Sequence, residues 1–370
     1  MKHLTFYLLT LALFFSCTSP LSEVAESDDG GNQDLSGLIT AGEWNDLENW
    51  DFWTNLQNND TFSIHQEYWG IYPNKRIAIS VNSSGNPIKG AKIELMKGGV
   101  VEDQTYTDNL GNASFFLDLF ETGSSNVEDY SLRIENNNIN EPLVSMEQGI
   151  NEIEFSQNTV VENKVQLSFI VDATGSMGDE LRFLREDLKS VIERAQINAS
   201  GFQFETSAVY YRDEEEDFLT RVSEFSTDID QTIDFIGDQT AAGGGDFPEA
   251  VHSAMEEALN LEWDENAHTK IAFLVLDAPP HYRMDVLEEI RSYIDEAKVK
   301  GIKLIPISAS GIDKETEFLL RYMSIITNGT YVFITDDSGI GNDHLPPSVG
   351  EFEVEFLNDL MVRLIKKYTD

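Results

Sequence analysis

The stretch Val165–Met177, VQLSFIVDATGSM, sets three oxygen-bearing side chains on one short loop: Asp172, Thr174 and Ser176. Five of its first seven residues are apolar (Val165, Leu167, Phe169, Ile170 and Val171), the pattern of a strand buried on both faces. A carboxylate followed by two hydroxyls at every second position, at the carboxyl end of such a strand, lies where open α/β sheets take their ligands. These are hard donors, suited to a divalent cation: Mg2+ in the first place, with Ca2+ and Mn2+ as alternatives. Nucleophilic chemistry fits less well, because Ser176 has no His and Asp at triad-like positions. The run Gly243–Gly245 is not a phosphate loop either, since no Gly-Lys-Ser/Thr follows it.

The elements that must position this loop alternate strand and helix from Val165 to the end. Leu181, Leu184, Leu188, Val191 and Ala195 fall at helical spacing. Ser207–Tyr211 reads as a strand, with Phe218–Phe225 as its antiparallel neighbour across the acidic turn Arg212–Asp217. Ile229, Ile233 and Ile236 predict a helix. Another is expected to start at Pro248, a residue suited to a first helical turn, with Val251, Ala254, Met255, Ala258 and Leu259 as its apolar face. Ile271–Leu276 is an unbroken apolar run, a central buried strand. A helix carrying Leu287, Ile290, Ile294 and Ala297 follows, which Gly301 can end. Then come a strand at Ile302–Ile307, a helix at Lys314–Ile326, a strand at Thr330–Ile334 and a closing helix at Phe352–Tyr368. This order predicts an α/β fold over residues 163–370: a doubly wound, mainly parallel sheet with one antiparallel edge strand.

Upstream, the period changes to two. Ile77, Ile79 and Val81 alternate with polar residues, as do Ala91, Ile93 and Leu95, then Ala113, Phe115 and Leu117, and later Tyr130, Leu132, Ile134, Ile153 and Phe155. Turn signals such as Ser83–Pro87 and Gly98-Gly99 separate the runs, which predicts a smaller antiparallel β-sandwich over residues 73–158. Residues 38–72 hold four of the five tryptophans (Trp44, Trp50, Trp53 and Trp69) without a clean period. These rings either pack the segment onto the next domain or form a binding surface for carbohydrate or protein.

The chain has 370 residues and a formal charge of −41, from 25 basic and 66 acidic side chains. That balance argues against nucleic acid and anionic membrane surfaces as partners, and for divalent cations or basic ones. The acid is spread along the chain, as on a solvated surface. The one cysteine, Cys17, excludes intrachain disulfides. It follows a cationic start, Met1-Lys2-His3, and an apolar run, Leu4–Phe15, too short to span a bilayer and suited to a signal peptide over residues 1–16. Residues 17–37, rich in Ser, Asp, Glu and Gly, read as a tether.

The order of elements together with Asp172–Ser176 resembles the von Willebrand factor type A (vWA) domain. Its metal-ion-dependent adhesion site uses an Asp-x-Ser-x-Ser loop, here with Thr174 at the middle position. The phrases GGGDFPEA and LDAPPH resemble a bacterial subset of the family. The resemblance implies that the glycine-rich loop supplies a second ligand, and Asp246 stands where the family has a Thr. It also implies a third, Asp277, after the next central strand. Asp246 would bind directly, through water, or instead cap the following helix. Bound directly, it would tighten the metal and weaken attraction for an incoming carboxylate. Asp213 and His281 lie on loops of the same rim, as possible contacts to the ion's water shell or to a ligand. Leu13–Cys17 resembles a bacterial lipoprotein cleavage box, which would lipidate Cys17. The alternative is an ordinary secretory signal with an incidental cysteine. GNPIKGAKIEL followed by TDNLGNASF resembles the carboxypeptidase-regulatory-like or transthyretin-like modules of bacterial surface proteins, usually spacers or scaffolds.

Together these features lead to the expectation of a non-enzymatic binding or adhesion protein of the cell envelope, anchored at the outer membrane or cell surface through Cys17, or else secreted. Its vWA domain would hold a divalent cation and bind a protein or glycan partner. Two alternatives stay open: a structural subunit of an envelope assembly with a purely structural metal, and a metal-assisted hydrolase.

Overall fold

The computed structural model describes residues 37–370 except 58, 60, 61, 157 and 158. The signal segment, Cys17 and the tether up to residue 36 lie outside the described residues. No helix among the described residues is long and apolar enough to cross a membrane.

The chain opens with β1 (Thr40–Trp44), α1 (Trp50–Gln57) and α2 (Phe62–Trp69). Eight strands follow: β2 (Lys75–Ser83), β3 (Asn86–Pro87), β4 (Lys92–Lys97), β5 (Val100–Tyr106), β6 (Asn112–Leu117), β7 (Tyr130–Ile134), β8 (Asn137–Ile139) and β9 (Asn151–Glu154). They form two four-stranded sheets, β3-β2-β6 with β9 on β2, and β5-β4-β7-β8. One apolar cluster draws on both, including Ile77, Ile79, Ile93, Phe115, Leu132 and Ile153. All pairings are antiparallel except β2 with β9, which is parallel.

The α/β layer is built from β10 (Glu162–Asp172), α3 (Gly178–Asn198), β11 (Gln203–Tyr211), β12 (Thr220–Ser226), α4 (Ile229–Gly237), α5 (Val251–Asn260), β13 (Ala267–Leu276), α6 (Met284–Val299), β14 (Lys303–Ser308), α7 (Lys314–Ile326), β15 (Tyr331–Ile334), β16 (Glu355–Phe356) and α8 (Leu357–Thr369). The sheet order is β12-β11-β10-β13-β14-β15-β1-β16. Strands β11, β10, β13, β14 and β15 run parallel, and β12 is the expected antiparallel edge. Both faces of the sheet are covered, one by a cluster around Phe169, Leu184 and Leu364, the other around Leu274, Ile290 and Leu320. That explains why the central strands are apolar runs rather than alternating ones.

Two helix starts differ from the expectation. The helix after the glycine-rich loop starts at Val251 rather than Pro248, because the Glu249 amide is used elsewhere: it donates to the Pro279 carbonyl at 2.9 Å. The last helix starts at Leu357 rather than Phe352, because Glu355-Phe356 is drawn into the sheet by Thr40-Ala41.

The tryptophan-rich segment is packed, but largely against the α/β layer. Strand β1 enters the large sheet, pairing antiparallel with β15 (Trp44 opposite Tyr331) and with β16. Trp53 and Trp69 are fully buried beside Phe318 and Tyr322 of α7. Their indole N–H groups donate to the carbonyls of Pro73 at 3.2 Å and Glu315 at 2.7 Å. Rings spent on core and hydrogen bonds in this way are not a recognition surface.

A buried ion pair helps tie this segment down. Arg321 of α7 is fully buried and donates through Nε and Nη2 to the two carboxylate oxygens of Asp46, at 2.9 and 2.6 Å. Asp46 also accepts from the Trp44 indole at 3.0 Å. Removing one partner strands a buried charge. Asp46→Ala is therefore expected to lower unfolding free energy by about 3–5 kcal/mol, measured by urea denaturation of the full chain. A loss below about 1 kcal/mol, the size of an exposed pair, would contradict this role.

Candidate metal centre

Strand β10 ends at Asp172, between β11 and β13, so the carboxylate emerges at the carboxyl edge of the sheet centre. Val171 is opposite Val275, which places Asp277, just past the end of β13, beside it. The loop after β10 folds back on itself. Asp172 Oδ1 accepts from the Thr174 backbone N–H at 2.8 Å and its hydroxyl at 2.7 Å, and the hydroxyls of Thr174 and Ser176 lie 3.1 Å apart. Residues Gly175–Met177 then make a single 3-10 turn leading into α3.

The glycine-rich loop is laid directly onto this one. Ala242 N donates to Ala173 O, and Gly175 N to Gly243 O, both at 3.1 Å. Gly243 and Gly244 both take positive φ, 79° and 77°, a region that L side chains rarely adopt. A side chain on Gly243 would also collide with Glu216, whose carboxylate accepts from Gly244 N at 2.8 Å. Arg212, buried just past β11, donates to the Ala173 carbonyl at 3.1 Å and the Thr240 carbonyl at 3.0 Å, tying both loops to the strand end.

The expected residues are distributed unequally. Asp172, Thr174 and Asp277 are buried, and Ser176 stands exposed beside them. Asp246 is exposed on its loop. Asp213 and His281 meet each other, Oδ1 to Nε2 at 2.6 Å, on the rim, where Arg283 also forms a two-pronged contact with Glu214 at 2.6 and 3.1 Å. Two acidic groups that the sequence reading did not single out are also here. Glu249 is 2 % exposed. Glu180, in the first turn of α3, is fully buried and accepts from Ser310 N at 2.9 Å. The available signal for Glu249 was a lone acid between Pro248 and the apolar stripe of α5, a place where a charged residue has no packing use.

Asp172 Oδ2, Asp277 Oδ1 and Glu249 Oε2 are buried without a hydrogen-bond partner. Burying unpaired carboxylate oxygens is costly unless a cation or a proton compensates them. The same burial and crowding raise the affinity of these acids for protons. Burial, then the charge of Asp277, pushes Asp172 up to about 7. Burial, then Glu180, pushes Asp277 up to about 6. Burial, then the surrounding carboxylates led by Asp172, pushes Glu249 up to about 9. No group of three or more His, Cys, Asp or Glu side chains among the described residues is arranged to hold an ion unaided. A hard divalent cation here would draw on Asp172, Asp277, the two hydroxyls and water, a donor set that fits Mg2+.

The sign of the pH dependence follows. A buried acid raised above its unfolded value keeps its proton in the fold when the unfolded chain has lost it, so stability falls as pH rises through that window. For Asp172 the window runs from 3.8 to about 7. In chelator, the melting temperature is therefore expected to fall between about pH 4 and pH 7, and saturating Mg2+ to restore more of it near pH 8 than near pH 5, where protons compete. Melts of the full chain with and without Mg2+ test this; a rescue as large near pH 5 as near pH 8 would contradict it.

Residues 166–319, which include every group just described, match the family model of the von Willebrand factor A domain. The ariadne-like RING finger protein R811 of Acanthamoeba polyphaga mimivirus is 33% identical over 139 residues, covering 36% of this chain and 13% of R811. The alpha-protein kinase vwkA of Dictyostelium discoideum is 29% identical over 118 residues, covering 32% of this chain and 19% of the kinase. The chain thus spans less than a fifth of the length of either relative. Among solved structures, BatB from Bacteroides thetaiotaomicron aligns with a TM-score of 0.38 at 12% identity, covering 55% of this chain and 98% of BatB. Over residues 166–319 the chain carries a von Willebrand factor A domain.

Proposed function

We propose that the chain is a non-enzymatic binding protein whose vWA domain holds a divalent cation at the sheet edge and docks a protein partner there. The observation that carries this reading is the convergence of three strand-end loops on buried carboxylate oxygens without partners, at Asp172, Asp277 and Glu249. A cation compensates them, and vWA domains commonly mediate protein interactions. The same loops expose large apolar side chains, Phe247 beside the glycine run and Tyr282 and Met284 after Asp277. Apolar groups standing beside a charged site suit a protein surface better than a small solute. The acidic rim, Asp213–Asp217, favours a partner with basic character. A hydrolytic role is the less favoured reading, because the buried carboxylates are the groups an ion would use. In this reading the β strands of residues 75–154 act as a spacer and Cys17 carries a lipid anchor at the cell envelope.

Full-length protein and its Asp172→Ala variant would be compared by affinity capture from envelope extract, in Mg2+ and in EDTA. A partner retained only by wild type with Mg2+ is the expected result; an identical profile in all four conditions would remove the metal from the account. Expressed in a Gram-negative host, the wild type is expected in the membrane fraction and Cys17→Ser in the soluble fraction. Equal partitioning of the two would refute the anchor.

A further inference from the structure

We propose that Glu249, rather than Asp246, is the carboxylate that the glycine-rich loop turns toward a bound divalent ion, and that it grips the ion through its water shell. This inference rests on the metal-binding reading above. The two acids lie three residues apart on one loop, yet Asp246 is exposed and Glu249 is buried. The difference is built into the backbone. The Glu249 amide donates to Pro279 O at 2.9 Å, and Glu249 pairs with Pro280 in an isolated parallel bridge. Glu249 is thereby fixed to the segment that begins at Asp277.

The carboxylate faces the first loop. A Cβ built on Gly244 would lie 3.3 Å from Glu249 Oε1 and 3.5 Å from Thr174 Cβ, so only the missing side chain of Gly244 separates Glu249 from Thr174. Glu249 Oε2, like Asp172 Oδ2, Asp277 Oδ1 and Glu180 Oε2, is a buried carboxylate oxygen without a hydrogen-bond partner. A solvated Asp246 does not need a cation; a buried Glu249 does. The contact through water follows from the reluctance of Mg2+ to give up its waters. With three carboxylates around one divalent ion the site stays net negative, so a partner is expected to bring a neutral or basic group to it, not an acidic one.

The test is calorimetric titration of Mg2+ and Mn2+ into the full chain and into Glu249→Gln and Asp246→Asn, with thermal melts of all three in EDTA. Glu249→Gln is expected to weaken both metals by about 10–100-fold, the usual effect of losing a group that orients a metal's ligands, and Asp246→Asn by clearly less. In EDTA, Glu249→Gln should melt no lower than wild type, since it removes an acid from a crowded acidic centre. Undiminished affinity in Glu249→Gln, or a larger loss in Asp246→Asn, overturns the assignment and leaves the metal reading standing. A Glu249→Gln chain that melts well below wild type in EDTA marks a structural prop and also overturns it. Wild type that binds neither metal overturns both.

Discussion

A carboxylate at the end of a strand buried on both faces is the constraint around which the α/β layer is arranged. Asp172 cannot reach water, so its charge must be compensated locally, and Thr174 compensates only one of its two oxygens. Around this carboxylate stand the Tyr211 hydroxyl and the acids Asp277 and Glu249. A fold held together only by packing would not place these groups together, because each carboxylate raises the cost of the next. In the proposed reading a cation compensates the cluster.

Holding such a centre open needs rigidity elsewhere. Arg212 clamps two of the loops to the end of β11, and the positive-φ glycines let the second loop lie flat on the first. On the far side of the sheet, the N-terminal segment extends the large sheet with β1, and the Arg321–Asp46 pair anchors that strand to α7. The β strands of residues 75–154 are joined to the same body by polar contacts, among them Lys298 Nζ to Asp103 at 2.7 Å and Asn109 to the Lys367 carbonyl at 2.8 Å. The site therefore sits on a platform with few independent parts, which suits binding more than a mechanism that requires large closure.

Much of this was legible in the sequence. The apolar runs of β10 and β13 and the helical stripes between them are strong local signals, and α7 lies at Lys314–Ile326 as its spacing predicts. What stayed hidden was tertiary in origin. TAGEW in β1 has no alternation to read; it becomes a strand because β15 and β16 offer unpaired edges. Asp246 was favoured because it stands where the resembled family has a Thr, whereas the burial of Glu249 and its bridge to Pro280 depend on tertiary structure. The same bridge delays α5 beyond Pro248, a residue whose local preference predicts an earlier start. Local rules failed here at the loops that build the centre, as expected where function competes with ideal geometry.

The most direct measurement is a calorimetric titration of Mg2+ into the full-length chain and its Asp172→Ala variant. One saturable site in wild type, absent from the variant while its circular dichroism is unchanged, is the predicted result. Equal, weak, unsaturable heats in both chains would mean that Mg2+ merely screens a surface of net charge −41. The cation at the centre of this account would then be contradicted.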